Sequence, residues 1–373
     1  MRDDKKKRVL VAMSGGVDSS VAAALLKQEG FDVIGITMQI WPKREAGSGL
    51  PAGQAGKRDG GCCSLSAVED ARRVANMLGI PHYVLNFGHV FEEKVIRDFV
   101  EEYKAGRTPN PCIRCNEHIK FNALLKKAGE LDADYIATGH YARIKSQIQN
   151  PKSKQGRLLL KGKDAKKDQS YVLYVMNQKS LAKTLFPNGE LKKEEVRSIA
   201  KSLGLPVAEK EESQEICFVP NDDYGKFLEG FITDEINPGP ILDAQGNILG
   251  MHKGIVYYTV GQRRGLGIAR TEPLYVLSID TGKNAIVVGR KEETLGSELI
   301  ADRVNYISGD APESELEVTA KIRYNAAESK AMLLPIDDDK VRVKFRTPQN
   351  AITPGQSAVF YDGDVVIGGG IIQ

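Results

Sequence analysis

Val9-Leu-Val-Ala-Met-Ser-Gly-Gly-Val-Asp-Ser-Ser20 is an apolar run that breaks at two glycines and passes straight into a helical pattern. Val9 to Met13 is too short for a helix and rich in β-branched residues, which predicts a buried strand. Ser20 to Lys27 carries Val21, Ala23, Ala24 and Leu25 at helical spacing, with Gly30 as its stop. The turn between them sets backbone N–H groups and small hydroxyls at a helix N-terminus, where open amides and the macrodipole attract phosphate. Gly15 and Gly16 let the main chain approach such an anion closely. No Gly-Lys-Ser/Thr follows, so the lysine of a Walker loop is missing and the turn suits a pyrophosphate. Asp18 is placed to hold Mg²⁺ on the phosphate oxygens.

Outward from this turn, the chain alternates. Phe31 to Trp41 reads as a second strand carrying Met38 at its far end, Ser66 to Gly79 as a helix, and Pro81 to Phe87 as a third strand. Val90 to Tyr103 is an amphipathic helix. Gly106 to Asn116, with two prolines, is predicted to be non-helical. A helix follows from Asn116 to Gly129, and a fourth strand, Asp134 to Thr138, ends in Gly139-His140-Tyr141. This order predicts an α/β fold with a doubly wound parallel sheet over residues 8–141. Ligands of such sheets sit beyond the carboxyl ends of the strands, which places Met38 near the base of a nucleotide held by the first turn.

Lys43 to Gly61 is glycine-rich without periodicity and reads as a surface loop ending in the vicinal Cys62-Cys63. Arg157 to Lys161 reads as a basic hairpin strand, Asp168 to Leu185 as a helix and Lys192 to Leu203 as another. From Asn237 the texture changes to Gly/Pro turns and short alternating runs. These are Ile255 to Val260, Leu274 to Ile279, Ala285 to Val288, Glu317 to Tyr324, Val341 to Phe345, Ala358 to Tyr361 and Val365 to Ile372. They predict a small antiparallel barrel or sandwich. In Val318 to Tyr324, the apolar Val318, Ala320 and Ile322 alternate with Thr319, Lys321 and Arg323, which leaves a basic outward face.

A chain of 373 residues with 41% apolar content is long enough for two or three domains. No stretch approaches membrane-spanning length, and the charged start Met1 to Arg8 has no apolar segment behind it, so a cytoplasmic location is expected. The net charge of +3 says little, but its distribution says more. Arg143 to Lys167 holds nine basic residues against the single acid Asp164, the footprint expected of a phosphate-backbone partner or of a solvated hairpin tip. Five cysteines point to a reducing compartment. Cys112 and Cys115 stand as Cys-x-x-Cys. Arg114 and Lys120 beside Cys115 favour its thiolate, whereas Glu209, Glu211, Glu212 and Glu215 leave nothing local to activate Cys217.

Ser14 to Ser19 resembles the PP-loop of the ATP pyrophosphatases, which cleave ATP between its α- and β-phosphates and leave AMP on a substrate oxygen. Further motifs are Thr108-Pro-Asn-Pro111, Cys115-Asn116, Ile119-Lys-Phe121, Ala137-Thr-Gly-His-Tyr141, Lys167-Asp-Gln-Ser-Tyr171, Gln214-Glu-Ile-Cys-Phe218 and Tyr258-Thr-Val-Gly-Gln-Arg-Arg-Gly-Leu266. With them essentially the whole chain resembles the tRNA-specific 2-thiouridylases of the wobble position.

The resemblance implies a PP-loop ATP-binding catalytic domain over residues 1–218, a central adaptor over 219–292 and a tRNA-contacting β-barrel over 293–373. It implies ATP at Ala12, Met13, Ser14, Gly15, Gly16, Val17, Asp18, Ser19, Met38 and Gly139, with Mg²⁺. It puts the target base at Asn110, Pro111 and Cys112, and the anticodon stem-loop of a uridine-34 tRNA at His140, Lys167, Asp168, Gln169, Arg323, Tyr324 and Gln356. Cys217 corresponds to the persulfide carrier, loaded by a cysteine desulfurase or sulfur-relay protein, and Cys115 to the nucleophile. Many members have aspartate where Cys112 stands. Cys112, Cys115 and Cys217 therefore also match the three-thiolate set that other tRNA-sulfurating enzymes use for an iron–sulfur cluster. The persulfide–disulfide route is preferred, since Cys-x-x-Cys is also a common redox motif. The competing readings are a PP-loop ligase acting on a small molecule and a nucleotide-sensing module without turnover.

Overall fold

The structure, a computed structural model, describes residues 6–40, 64–147, 156–211, 216–219, 221, 223–232, 235–269 and 271–373. The Lys43 to Gly61 insert, Cys62, Cys63, Gln214 and Glu215 lie outside the described residues. Strand β1 (Arg8–Ala12) is the centre of a parallel five-stranded sheet. Its neighbours are β2 (Asp32–Gln39), then β3 (His82–Asn86), on one side, and β4 (Tyr135–Ala137), then β7 (Thr184–Leu185), on the other. Alternate residues of β1 feed opposite cores, as a pleat with period two requires. Leu10 and Ala12 join an aromatic cluster with Phe91, Phe99 and Phe218, while Val9, Val11 and Met13 join a smaller aliphatic one with Val21, Val74 and Val196.

The first cluster is covered by α3 (residues 88–104) and α4 (residues 111–130), the second by α1 (Val17–Gln28), α2 (Leu65–Leu78) and α6 (Lys193–Ser202). The short α5 (Gln178–Ala182) leads into β7. Both α3 and α4 contain a widened stretch with i→i+5 hydrogen bonding, at Glu92–Ile96 and Asn116–Ala123. Chain order places β2 and β3 to one side of β1 and β4 to the other, so the direction of winding reverses between β1 and β4. That reversal leaves a crevice at the carboxyl ends of exactly those two strands, the usual ligand position in open α/β sheets.

After α7 (Tyr224–Glu229), a four-stranded sheet of β8 (Gly239–Leu242), β9 (Ile248–His252), β10 (Tyr275–Asp280) and β11 (Ala285–Gly289) runs in the order β10-β11-β8-β9. The last third holds β12 (Leu295–Tyr306), β13 (Leu316–Lys321), β14 (Ser329–Pro335), β15 (Val341–Asn350), β16 (Ser357–Asp362) and β17 (Val365–Ile372). Pairing of β12 with both β15 and β17 closes these strands into an antiparallel barrel. In β15, Val341, Val343 and Phe345 point in while Arg342, Lys344 and Arg346 point out.

The basic hairpin strand is present as β6 (Gly156–Lys161), paired with β5 (Ala142–Gln147), and it joins the barrel sheet through Leu160 opposite Val365 and through Lys161 N–H donating to the Asp364 carbonyl at 2.9 Å. Three expectations are corrected. Ile255 to Val260 is a 3₁₀ turn over Ile255–Tyr257, because Gly254 at φ +145° redirects the chain. Asp168 to Leu185 is a 3₁₀ turn (Ser170–Leu173), α5 and β7. Ser170 to Leu173 are all buried, so no exposed helical face exists there, and the Asn177 capping box starts α5 afresh. Helix α4 begins at Pro111 rather than Asn116. Proline at the first helical position loses only an N–H that would be unpaired anyway, and Asn110 caps the turn. Among the described residues no helix is long and apolar enough to cross a membrane.

Candidate active site

The PP-loop fills the crevice at the end of β1. Gly15 adopts φ +70°, and a Cβ there would stand 2.2 Å from the Ala67 carbonyl oxygen at the start of α2. Gly16 is the N-cap of α1 and makes no side-chain cap, so no side chain shields the first-turn amides. Ser14 N–H donates to Ser19 Oγ at 3.1 Å, and the Ser20 hydroxyl donates to the Gly16 carbonyl at 2.8 Å. Ala12, Met13, Val17 and Ser19 are buried beneath the loop, and Met38 ends β2 against the aromatic core. Gly139, just past β4, closes the other wall. A Cβ on it would lie 2.7 Å from Asp18 C and Ser19 N, so only glycine lets the two strand ends meet. Asn188 seals the junction, its amide donating to the carbonyls of Asp18 at 3.0 Å and Gly139 at 3.2 Å.

Asp18 does not present an open carboxylate. Lys193 Nζ reaches both its oxygens at 2.7 and 2.8 Å, and the Tyr141 hydroxyl donates to Oδ1 at 2.7 Å. Its donor set does not fit a divalent ion held by Asp18, since an ammonium already occupies the positions a cation would take. Lys193, Tyr141 and Asn188 carry no periodicity or motif spacing relative to the loop, and only folding reveals them. The Lys193 side chain is 9% exposed, so removing its partner strands a buried charge. Asp18→Ala is therefore expected to cost about 3 kcal/mol in urea unfolding, toward the low end because Asp18 remains partly exposed. Adding Lys193→Met should recover part of that loss. On the opposite side Lys210 Nζ donates to the Gly15 carbonyl at 3.0 Å and pairs with Asp70 at 2.6 Å, tying the chain ahead of Cys217 to the loop.

Cys112 and Cys115 sit on the first turn of α4, Cys112 exposed and Cys115 half-buried. The Asn110 side chain accepts from the Cys112 and Ile113 amides at 3.1 and 3.4 Å. Arg114 is matched by Asp98 at 3.2 Å and Glu117 at 2.6 Å, so its charge is not spare for Cys115 as the sequence suggested. Cys217 lies in a turn closed by Val219 N–H to the Ile216 carbonyl at 3.0 Å. Phe218 anchors that turn edge-on against Phe91 and Phe99, at 5.5 and 5.4 Å between ring centroids. Cys115 and Cys217 pack against the same aromatic core. Among the described residues no three His, Cys, Asp or Glu side chains are gathered for a metal ion, so Cys112, Cys115 and Cys217 do not form a three-thiolate site in this conformation.

The residues expected against tRNA divide in two. Tyr324 is exposed on the barrel, with the Lys321 ammonium over its ring at 5.9 Å, and Lys167 tops the turn that Asp164 closes at 3.0 Å. The others face inward. Asp168 accepts from Gly162 N–H and the Ser170 hydroxyl, and Gln169 Oε1 accepts from Tyr141 N–H at 2.9 Å. Arg323 donates to the Val260 carbonyl at 2.9 Å and to Thr353, joining the barrel to the middle sheet. Gln356 donates to the Thr108 carbonyl at 2.8 Å, bracing the backbone just before Asn110. Arg143 pairs with Asp364 at 2.7 Å and Lys161 with Glu328 at 2.6 Å, which among the described residues leaves Lys145, Lys163 and Lys166 as the exposed basic residues there.

His140 is 8% exposed, packed between Phe121 and Phe186, with Thr138 Oγ1 at 2.5 Å from Nδ1 and Lys120 Nζ at 3.3 Å from Nε2. Burial, reinforced by the Lys120 ammonium, holds its pKa well below the ordinary imidazole value, so the ring is neutral. The unfolded chain takes up a proton below about pH 6.5 that the native ring refuses. Stability must therefore fall as pH drops through that range, by up to ~1.4 kcal/mol per pH unit. Urea melts of His140→Asn between pH 7 and 5 should show a shallower slope than the parent.

A parallel sheet whose winding reverses above a glycine-rich phosphate turn, followed by two β domains, defines a PP-loop nucleotide-binding α/β protein. Residues 7–221 match the family model described as a tRNA methyl transferase HUP domain, 225–290 its PRC-barrel domain and 296–372 the aminomethyltransferase beta-barrel domain. The tRNA-specific 2-thiouridylase MnmA 1 of Thermoanaerobacter sp. (strain X514) is 57% identical over 99% of this chain and 98% of its own. The tRNA-specific 2-thiouridylase MnmA of Acetivibrio thermocellus is 55% identical over 99% of each. The chain belongs to the tRNA-specific 2-thiouridylase family.

Proposed function

We infer that this chain replaces the C2 oxygen of the wobble uridine of tRNA with sulfur, at the expense of ATP. The observation that carries the reading is full-length similarity to 2-thiouridylases, joined to a phosphate turn and two separate cysteine segments that pack on one core. ATP lies with its phosphates on the Ser14 to Ser19 amides and its adenosine between Met38 and Gly139. The target uridine leaves its stack, which costs a few kcal/mol, and enters beside Asn110 to Cys112. Its C2 oxygen attacks the α-phosphorus, the bond to pyrophosphate breaks, and AMP becomes a leaving group on C2. The first-turn amides are fixed donors for the charge that develops.

Cys217, carrying a persulfide received from a cysteine desulfurase or relay protein, supplies the sulfur. Its terminal sulfur attacks C2 and AMP departs. Cys115 thiolate then attacks the Cys217 sulfur, which leaves the new sulfur on C2 and a Cys115–Cys217 disulfide. In the other order Cys115 first releases hydrosulfide, which attacks C2, and the same disulfide results. A cellular thiol reductant resets the pair, in keeping with a cytoplasmic setting. The tRNA docks on the exposed Lys145, Lys163, Lys166 and Tyr324 and the half-buried Lys167 and Lys321, which position its backbone while the base is read unstacked.

Incubation with ATP, unmodified tRNA and a persulfide donor, followed by mass analysis of nucleosides, tests the reading. It predicts 2-thiouridine only in tRNAs with uridine at the wobble position, with one pyrophosphate released per sulfur inserted. Pyrophosphate release without tRNA would favour a small-molecule ligase, and pyrophosphate release with tRNA but no 2-thiouridine in any tRNA would refute sulfur transfer.

A further inference from the structure

Lys120 stands apart from the other cations around the crevice. Lys193 is paired with Asp18, Lys210 with Asp70, and Arg114 with Asp98 and Glu117. Lys120 is half-buried, and among the described residues its polar partner is the His140 ring, with no carboxylate within ion-pair distance. A partly desolvated ammonium held by an uncharged acceptor keeps its full charge for a ligand.

Its position says which anion. His140 directly follows Gly139, whose backbone touches Asp18 and Ser19 at the start of α1. Lys120 also lies on the widened stretch of α4, five residues after Cys115. The Leu124 amide bonds to the Ile119 carbonyl there, so the turn is one residue wider than in an α-helix. That widening brings position i+5 back over position i, and so turns Lys120 toward the face that carries Cys115. The ammonium is thus tied through His140 to the residue beside Gly139 at the phosphate turn, and through α4 to the segment Asn110 to Cys115.

We propose that Lys120 takes the negative charge of the α-phosphate while the tRNA base is adenylated, and that His140 is the positioning residue that aims it. This rests on the adenylation reading above. In the step, the C2 oxygen bonds to the α-phosphorus, the bond from that phosphorus to the bridging oxygen of pyrophosphate breaks, and Lys120 stays protonated throughout. Thr138 fixes the ring. A hydrogen on Nδ1 donates to Thr138 Oγ1, which leaves the Nε2 lone pair to accept from Lys120. The phenyl rings of Phe121 and Phe186 keep the imidazole from turning.

The test measures pyrophosphate release in a single turnover at saturating ATP and tRNA, and 2-thiouridine formation in parallel. Lys120→Met should slow pyrophosphate release by ~10²-fold, the effect of removing one preorganised donor to a charged transition state. ATP and tRNA affinities should stay within about threefold, because the loss falls on kcat. Lys120→Arg should restore part of the rate, and His140→Leu should slow release less than Lys120→Met does. Thermal melting and ATP binding establish that each variant is folded, and Lys120→Gln carries the test if the methionine variant is not. Pyrophosphate release at the parental rate overturns the proposal, including the case in which only 2-thiouridine is lost, which would move Lys120 to the sulfur step. Failure of the parent itself to release pyrophosphate with tRNA would instead sink the adenylation reading, and this one with it.

Discussion

Cys217→Ser is expected to release pyrophosphate from ATP and tRNA at nearly the parental rate while forming 2-thiouridine at least ~10³-fold more slowly, as happens when one member of a covalent unit is removed. The separation follows from placement. The phosphate turn is built from residues 14–20, Gly139 and Asn188, and its hydrogen bonds link Ser14 to Ser19, Ser20 to Gly16, and Asn188 to Asp18 and Gly139. Cys217 is held by its own turn and by Phe218, fully buried among Phe91, Phe99 and Phe227, so the serine should leave the segment in place. Cys115→Ser should show the same split, and the double variant should be no worse than either single one. Thiolation by Cys217→Ser with a persulfide donor would remove that residue from the sulfur path.

Gly15→Ala should all but abolish ATP binding, with the apparent dissociation constant rising by ~10²-fold, while Gly16→Ala changes it little. The two glycines are adjacent in sequence and opposite in constraint. At Gly15 a left-handed backbone costs any other residue ~1–3 kcal/mol. The added methyl would also meet main-chain atoms of Ala67 at 2.2 and 2.8 Å, which no rotamer can avoid. The loop must then move off α2, and its amides lose their aim. At Gly16 the backbone is extended, φ −99°, and the nearest atom to a Cβ is Ser14 Oγ at 3.5 Å. Calorimetric titration with a non-hydrolysable ATP analogue compares the two. Parental affinity in Gly15→Ala would show that the loop does not hold the nucleotide in the way described.

Much of the fold is legible in the chain because its signals are local. The apolar run of Val9 to Met13, the glycines after it, and the helical spacing to Lys27 each involve residues within one or two turns of one another, and so do the alternating strands of the barrel. Where burial is uniform, local pattern misleads. Ser170 to Leu173 has no exposed face to mark a helix limit, and Pro111 reads as a breaker although it is the first residue of α4.

The sequence by itself determined the parallel sheet, the phosphate turn, the cysteines and the family they belong to, because glycine conformations and hydrophobic periods act between near neighbours. Only the tertiary structure decided what each charged side chain does. Asp18 meets Lys193 from 175 residues away and Gly15 meets Lys210 from 195, and the hairpin at 142–161 closes on a strand at 365–372. Charge has no sequence period. Whether a lysine neutralises a carboxylate, braces a loop, or waits on a neutral histidine for a phosphate is fixed by which distant segment packing brings beside it.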